Sequence, residues 1–291
     1  MALSDNARGA AFMALAMAAF TGNDALMKQV TQHLPLMQAI VVRGVISGVM
    51  LAALAMATGG LRLGIGPADR GPVALRTLAE VGATLTFLTA LIHLPLANIS
   101  AILQALPLAV TLASALVFGD RVGWRRLSAI GVGFVGVVLI VRPGVEGFTV
   151  WSLVAVASVL CVVVRDLSTR RLTGVLPTST VALYTAGAVT AMGAVGMAFG
   201  PGWQPVGGGA LTALTGAAVL IVVGYTFIIK AMRVGEVSFV APYRYTSLLA
   251  AILLGWLMFG SLPDALTWAG SALIVASGLF TMWRESRLKR T

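Results

Sequence analysis

Asp24, Lys28, Arg43 and Glu80 sit inside long apolar stretches, where an ionised side chain must be paired or hydrated. Charges placed this way can do three kinds of chemistry. They can bind a charged solute, relay a proton, or brace two segments as an ion pair. Asp24 and Lys28 share a helix face at i, i+4. Asp24 lies about 9 Å before the end of its run at Val30, at 1.5 Å per residue. Arg43 has a similar depth on the next run, which begins at Leu36. An Asp24–Arg43–Lys28 cluster is therefore expected. Glu80 and Arg244 have matching depths from the opposite side and are expected partners. Arg165 and Asp166 lie within about a turn of Arg170 and are expected to snorkel to headgroups.

A second stretch with chemical potential is Ala241-Pro-Tyr-Arg-Tyr245. Pro242 has no N–H and weakens the local helix ladder, freeing a carbonyl beside two aromatics and a cation. Pro107 is a partial counterpart. A zwitterionic solute needs acceptors for its ammonium, donors for its carboxylate and an apolar wall. Gln104, Tyr243, Arg244 and Tyr245 can supply the polar groups. Phe20, Tyr184, Tyr225 and Phe227 can supply the wall.

Enzymatic chemistry finds less support. The two histidines, His33 and His93, fall at the ends of apolar runs, so no catalytic constellation lies at depth. No His or Cys cluster suggests a metal, and no cofactor is implied. Gly131-Val-Gly-Phe-Val-Gly136 matches a dinucleotide fingerprint but lies inside an apolar run without the flanking strand that fingerprint needs. Close helix packing by small residues accounts for it better.

The elements that hold these residues follow from composition. Of 291 residues, 58% are hydrophobic and 10% charged, with a mean hydropathy of +0.95. A water-soluble core is excluded, and the chain reads as an all-α membrane protein. Ten apolar runs are long enough, or nearly so, to span a bilayer. The first five are Ala10–Val30, Leu36–Thr58, Val73–His93, Leu96–Phe118 and Leu127–Val141. The second five are Val150–Arg170, Thr178–Phe199, Ala210–Ala231, Val237–Phe259 and Ala265–Trp283. The net charge of +10 is a topology signal rather than a nucleic-acid footprint. With the N-terminus inside, fifteen Lys and Arg fall on the cytoplasmic side and two outside, so both termini are expected in the cytoplasm.

The chain also repeats itself. Asp24, Lys28, Thr31, Leu34 and Pro35 recur as Asp166, Arg170, Thr173, Leu176 and Pro177 at an offset of 142. Ala90, Ala109, Phe118 and Gly119 recur as Ala231, Ala250, Phe259 and Gly260 at an offset of 141. Five spans per half is an odd number, so the halves, residues 1–145 and 146–291, are expected to enter the membrane with opposite polarity.

Three stretches carry a family resemblance: Asn23–Gly44, Ala97–Val141 and Ala231–Leu279. They resemble the drug/metabolite transporter superfamily, in particular its ten-helix members built from two EamA-type repeats. The pattern departs where Glu often follows Phe-Gly: Asp120 stands in the first half and Ser261 in the second. The resemblance implies a secondary transporter of the bacterial inner membrane that exports amino acids or similar small metabolites by alternating access. It also implies a cavity between spans 1–4 and 6–9, with spans 5 and 10 as supports. The expected partners are a small-molecule substrate and the bilayer. Proton coupling through Asp24 or Glu80 and uncoupled exchange fit the same residues. Efflux of cationic drugs and metabolite uptake are the alternatives within transport. A membrane-embedded enzyme and a scaffold are the alternatives outside it.

Overall fold

The computed structural model describes residues 4–57, 64–120, 122–143, 148–173 and 178–288. The expected junction between halves, at 145/146, and the repeated Leu176-Pro177 lie outside them. The described chain is helical throughout. Its helices are α1 (Asp5–Val30), α2 (Leu36–Ala57), α3 (Pro67–His93), α4 (Leu96–Leu103), α5 (Leu106–Phe118) and α6 (Trp124–Val141). Then come α7 (Val150–Arg170), α8 (Thr178–Met197), α9 (Gly208–Val234), α10 (Val237–Val240), α11 (Thr246–Phe259) and α12 (Ala265–Leu288).

Local chemistry sets the helix ends. The Ser4 hydroxyl accepts from the Ala7 amide at 3.3 Å and caps α1. Pro67 opens α3, where its missing N–H costs nothing. Gly119 and Gly260 close α5 and α11 in the left-handed region, at φ 71° and 62°. These are the two glycines paired by the repeat.

Among the described residues, nine helical segments are long and apolar enough to cross a membrane. The Leu96–Phe118 segment bends at Gln104–Ala105, just before Pro107. The expected Val237–Phe259 span is not one helix. It divides into α10, a 3-10 turn over Ala241–Tyr245, and α11. Pro242 lies within that turn, where a tighter ladder replaces the bonds that proline cannot make.

The largest interfaces pair α1 with α9, α3 with α7, α2 with α8, and α6 with α12, while α4 meets α11. Lipid-solvated helices gain little from apolar burial against one another, so close fit must hold them. α6 and α12 cross at Gly136 and Gly270. A Cβ on Gly136 would lie 2.6 Å from the Gly270 carbonyl, and one on Gly270 would lie 2.5 Å from the Gly136 carbonyl. Gly133 also packs tightly, against Leu108 and Ser277, whereas Gly131 faces open space. Two of the three glycines in the dinucleotide-like motif thus serve helix packing.

α3 and α7 are antiparallel. His93 at the end of α3 stacks at 3.6 Å on Trp151 at the start of α7. Arg76, early in α3, donates to the Thr169 hydroxyl at the end of α7 at 3.0 Å. Lys28, in the last turn of α1, reaches Leu91 and Leu94 at the end of α3. α1 therefore runs with α3 and against α7.

Candidate functional site

Asn23 and Asp24 face inward from α1. The Asn23 amide donates to the Asp24 carboxylate at 2.9 Å. Its carbonyl oxygen accepts from Arg43 of α2 at 3.1 Å. Asp24 and Arg43 are thus linked through Asn23 and not by direct contact. Lys28 does not join them, contrary to the expected cluster. Its ammonium donates to the Leu91 and Leu94 carbonyls at 2.5 and 2.7 Å and lies 5.7 Å from the Phe259 ring centroid. The last carbonyls of a helix have no intrahelical donor, and a lysine is well suited to satisfy them.

A second charge cluster joins α3 to α7. Glu80 pairs with Arg165 at 2.9 Å, and Arg165 also pairs with Asp166 at 2.8 Å. The expected Glu80–Arg244 pair is therefore replaced, because antiparallel packing sets residue 80 opposite residue 165. Arg165, expected to snorkel, is instead held by two carboxylates, Glu80 of the neighbouring helix and its own neighbour Asp166. Arg76 completes the cluster by donating to Thr185 of α8 at 2.7 Å as well as to Thr169.

Tyr225 of α9 stands between the clusters, within electrostatic reach of Arg43, Arg76, Glu80 and Arg165. Phe20 meets its ring edge-on at 5.4 Å. Gly224 makes room for that contact, since a Cβ there would come within 2.6 Å of the Phe20 ring. Tyr225 is nevertheless 39% exposed. The charged groups around it come from α2, α3 and α7. A polar file thus runs from Asp24 through Arg43 and Tyr225 to Glu80, Arg165 and Asp166.

The file ends at a cavity of about 390 Å³ beside the 3-10 turn. Asp166, Arg244, Thr111 and Thr281 supply its polar lining, and Leu106 and Pro107 supply part of its apolar wall. Among the described residues the Arg244 guanidinium has no hydrogen bond or ion pair, although Asp166 is within electrostatic reach. Thr111 and Thr281 each donate to a carbonyl of their own helix at 2.8 Å. Their protons are committed, so toward the cavity they offer acceptors. Among the described residues, a cation without a partner thus stands with two hydroxyl acceptors and with a carboxylate that Arg165 holds by one oxygen, an arrangement that suits a solute carrying both charges.

The other expected residues divide. Gln104 is buried and donates to the Ser247 hydroxyl at 2.6 Å. Ser247 donates in turn to the Arg244 carbonyl at 3.0 Å, so Gln104 braces the turn that presents Arg244. Tyr245 is buried against α12, its hydroxyl directed at Gly278. Tyr243 is exposed and its ring lies 6.0 Å from that of Phe239. Phe227 packs on Phe12 at 5.5 Å, with Lys230 over its ring. Tyr184 is exposed on α8. Asn23, Arg76, Thr111 and Thr281 were missed. The first is neutral, the second lies near a helix end, and single threonines carry no pattern.

Residues 7–142 match the EamA-like transporter family. The riboflavin transporter of Vibrio cholerae is 31% identical over 215 residues, which is 73% of this chain and 72% of that protein. The chain belongs to the EamA-like transporter family. It is also similar to the pseudopaline exporter of Pseudomonas aeruginosa, 27% identical over 272 residues, or 92% of this chain and 94% of the other. A solved crystal structure shares the fold with a TM-score of 0.66 at 23% identity, covering 96% of this chain and 98% of that one. The EamA-like transporter is thus a multi-pass protein of the bacterial inner membrane, and its named relatives are transporters of small molecules rather than enzymes.

Proposed function

We propose that this EamA-like transporter exports amino acids or similar small zwitterionic metabolites by alternating access. The observation that carries this reading is the free Arg244 guanidinium in a cavity shared with Asp166. Arg244 receives the substrate carboxylate through paired N–H donors. Asp166, with the Thr111 and Thr281 oxygens, receives the ammonium. The polar file through Tyr225 and Phe20 forms the remainder of the path, and Asp24 and Glu80 are its acids. Export is supported by the likeness to the pseudopaline exporter over most of both chains.

Two inverted five-helix halves, residues 1–145 and 146–291, with both termini in the cytoplasm, suit this cycle. The opposite run of α1 and α7 supports the inversion. So does the pairing of helices. Exchanging the halves turns α1–α9 into α7–α3 and maps α2–α8 and α6–α12 onto themselves.

A second reading is a flat aromatic substrate such as riboflavin. The named relatives and the half-open Phe20–Tyr225 pair favour it. Purified protein in liposomes, tested against labelled amino acids and riboflavin with and without a pH gradient, separates the two. Flux of amino acids alone supports the first reading, and flux of riboflavin alone replaces it with the second. Flux of neither removes both.

A further inference from the structure

Two cation–ring contacts in this chain are copies of each other. Lys28 lies 5.7 Å from the Phe259 ring and Arg170 lies 4.5 Å from the Phe118 ring. The cations correspond at the offset of 142 and the rings at 141. Each ring residue ends its helix just before a left-handed glycine, Gly260 or Gly119. One contact ties α1 to α11 and the other ties α7 to α5. Each therefore joins a helix of one half to the broken span of the other.

The contacts lie at opposite ends of the bundle. Lys28 also binds Leu91 and Leu94 near the end of α3. The last turn of α7 lies instead beside Arg76, which holds Thr169. The fifteen-residue separation between Arg76 and Leu91 corresponds to about 22 Å along a helix. The two ends are also held unequally. Arg170 forms a two-pronged pair with Asp120, and Arg171 stands 5.4 Å from the same Phe118 ring. Position 261, which corresponds to Asp120, is a serine that folds back onto the Gly255 carbonyl. With no carboxylate there, Lys28 takes backbone carbonyls instead.

We propose that Lys28–Phe259 and Arg170–Phe118–Asp120 are reciprocal latches that close the two ends of the transport path, so that releasing one favours closure of the other. The proposal rests on the alternating-access reading. Each latch bridges the halves where a five-helix unit must part from its partner, and both are formed in this structure.

Hydrogen–deuterium exchange of the full-length protein in nanodiscs tests this without any substrate. Phe118→Leu keeps apolar volume but removes the ring. It should speed exchange in 113–120 and 164–173 by roughly 2- to 30-fold, the range a cation–ring contact supports, and slow it in 22–31 and 253–261. Phe259→Leu should give the mirror pattern, and Phe118→Tyr should restore the native one. Asp120→Asn should act in the same direction as Phe118→Leu without disturbing apolar packing. Local loosening with the far end unmoved, or loosening of both ends by one variant, overturns the proposal. Mirror shifts without flux of any tested solute would remove the substrate assignment and keep the latches. Flux without mirror shifts would remove only the latches.

Discussion

Arg165 of α7 lies 2.9 Å from Glu80 of α3 and is shared with its neighbour Asp166. The pair is largely buried, so removing one member leaves charge without its counterpart in a poorly hydrated place. Glu80→Gln should lower stability by roughly 1–3 kcal/mol. The double exchange Glu80→Arg with Arg165→Glu should regain part of that loss. Thermal unfolding in detergent checks both; an additive double mutant would mean that the two do not interact.

Asn23 is the relay between Asp24 and Arg43. Asn23→Ala should leave the Arg43 guanidinium without its acceptor and lower stability by roughly 1–3 kcal/mol. Flux should fall with it. Asp24→Asn separates bracing from coupling. If its flux still follows an imposed pH gradient, Asp24 does not carry the coupled proton.

Gly136 and Gly270 allow α6 and α12 to touch backbone to backbone. Gly136→Leu should force them apart at a cost of roughly 1–3 kcal/mol. α12, expected as a support, also lends Thr281 to the cavity, so forcing it from α6 should raise KM as well. A fall in melting temperature with a raised KM is the expected result in reconstituted protein, and an unchanged KM would count against Thr281 as a substrate contact.

Asp264 begins the turn before α12, pairs with Arg142 and accepts from the Thr267 amide at 2.9 Å. The hydrogen bond from Arg142 holds its carboxyl down at about 2, against an ordinary value of 3.8. A depressed folded-state value gives stability that is present above the ordinary value and lost as pH falls through the depressed one. The window is pH 4 to 2. Asp264→Asn should flatten the melting temperature across that window and lower it at neutral pH.

Much of the fold was legible because crossing a bilayer is a one-dimensional requirement on length and polarity. The Val150–Arg170 run coincides with α7. Pro242 marked the place where its span breaks, although the 3-10 turn that results depends on neighbours. Partners were less legible. Depth put Asp24 level with Arg43 and Glu80 level with Arg244. Which faces meet is decided by helix pairing, and the α3–α7 interface gives Glu80 to Arg165. Lys28 was misassigned because a backbone carbonyl leaves no mark in a sequence. The substitution of Ser261 at the position matching Asp120 was visible, and the structure supplies its meaning in the unequal partners of Lys28 and Arg170.

The Arg244 guanidinium, which has no partner among the described residues, faces the cavity, and a carboxylate is the group it should choose. Proteoliposome flux of the transported amino acid, competed by that amino acid or by its carboxamide, tests this for the native protein and for Arg244→Gln. The native protein should be inhibited by the acid at a concentration roughly 10- to 150-fold below that of the amide, the range of a charged hydrogen-bond pair. Arg244→Gln should transport with raised KM and lose the distinction. Equal discrimination in the native protein and in Arg244→Gln would contradict the assignment of this cavity as the substrate site.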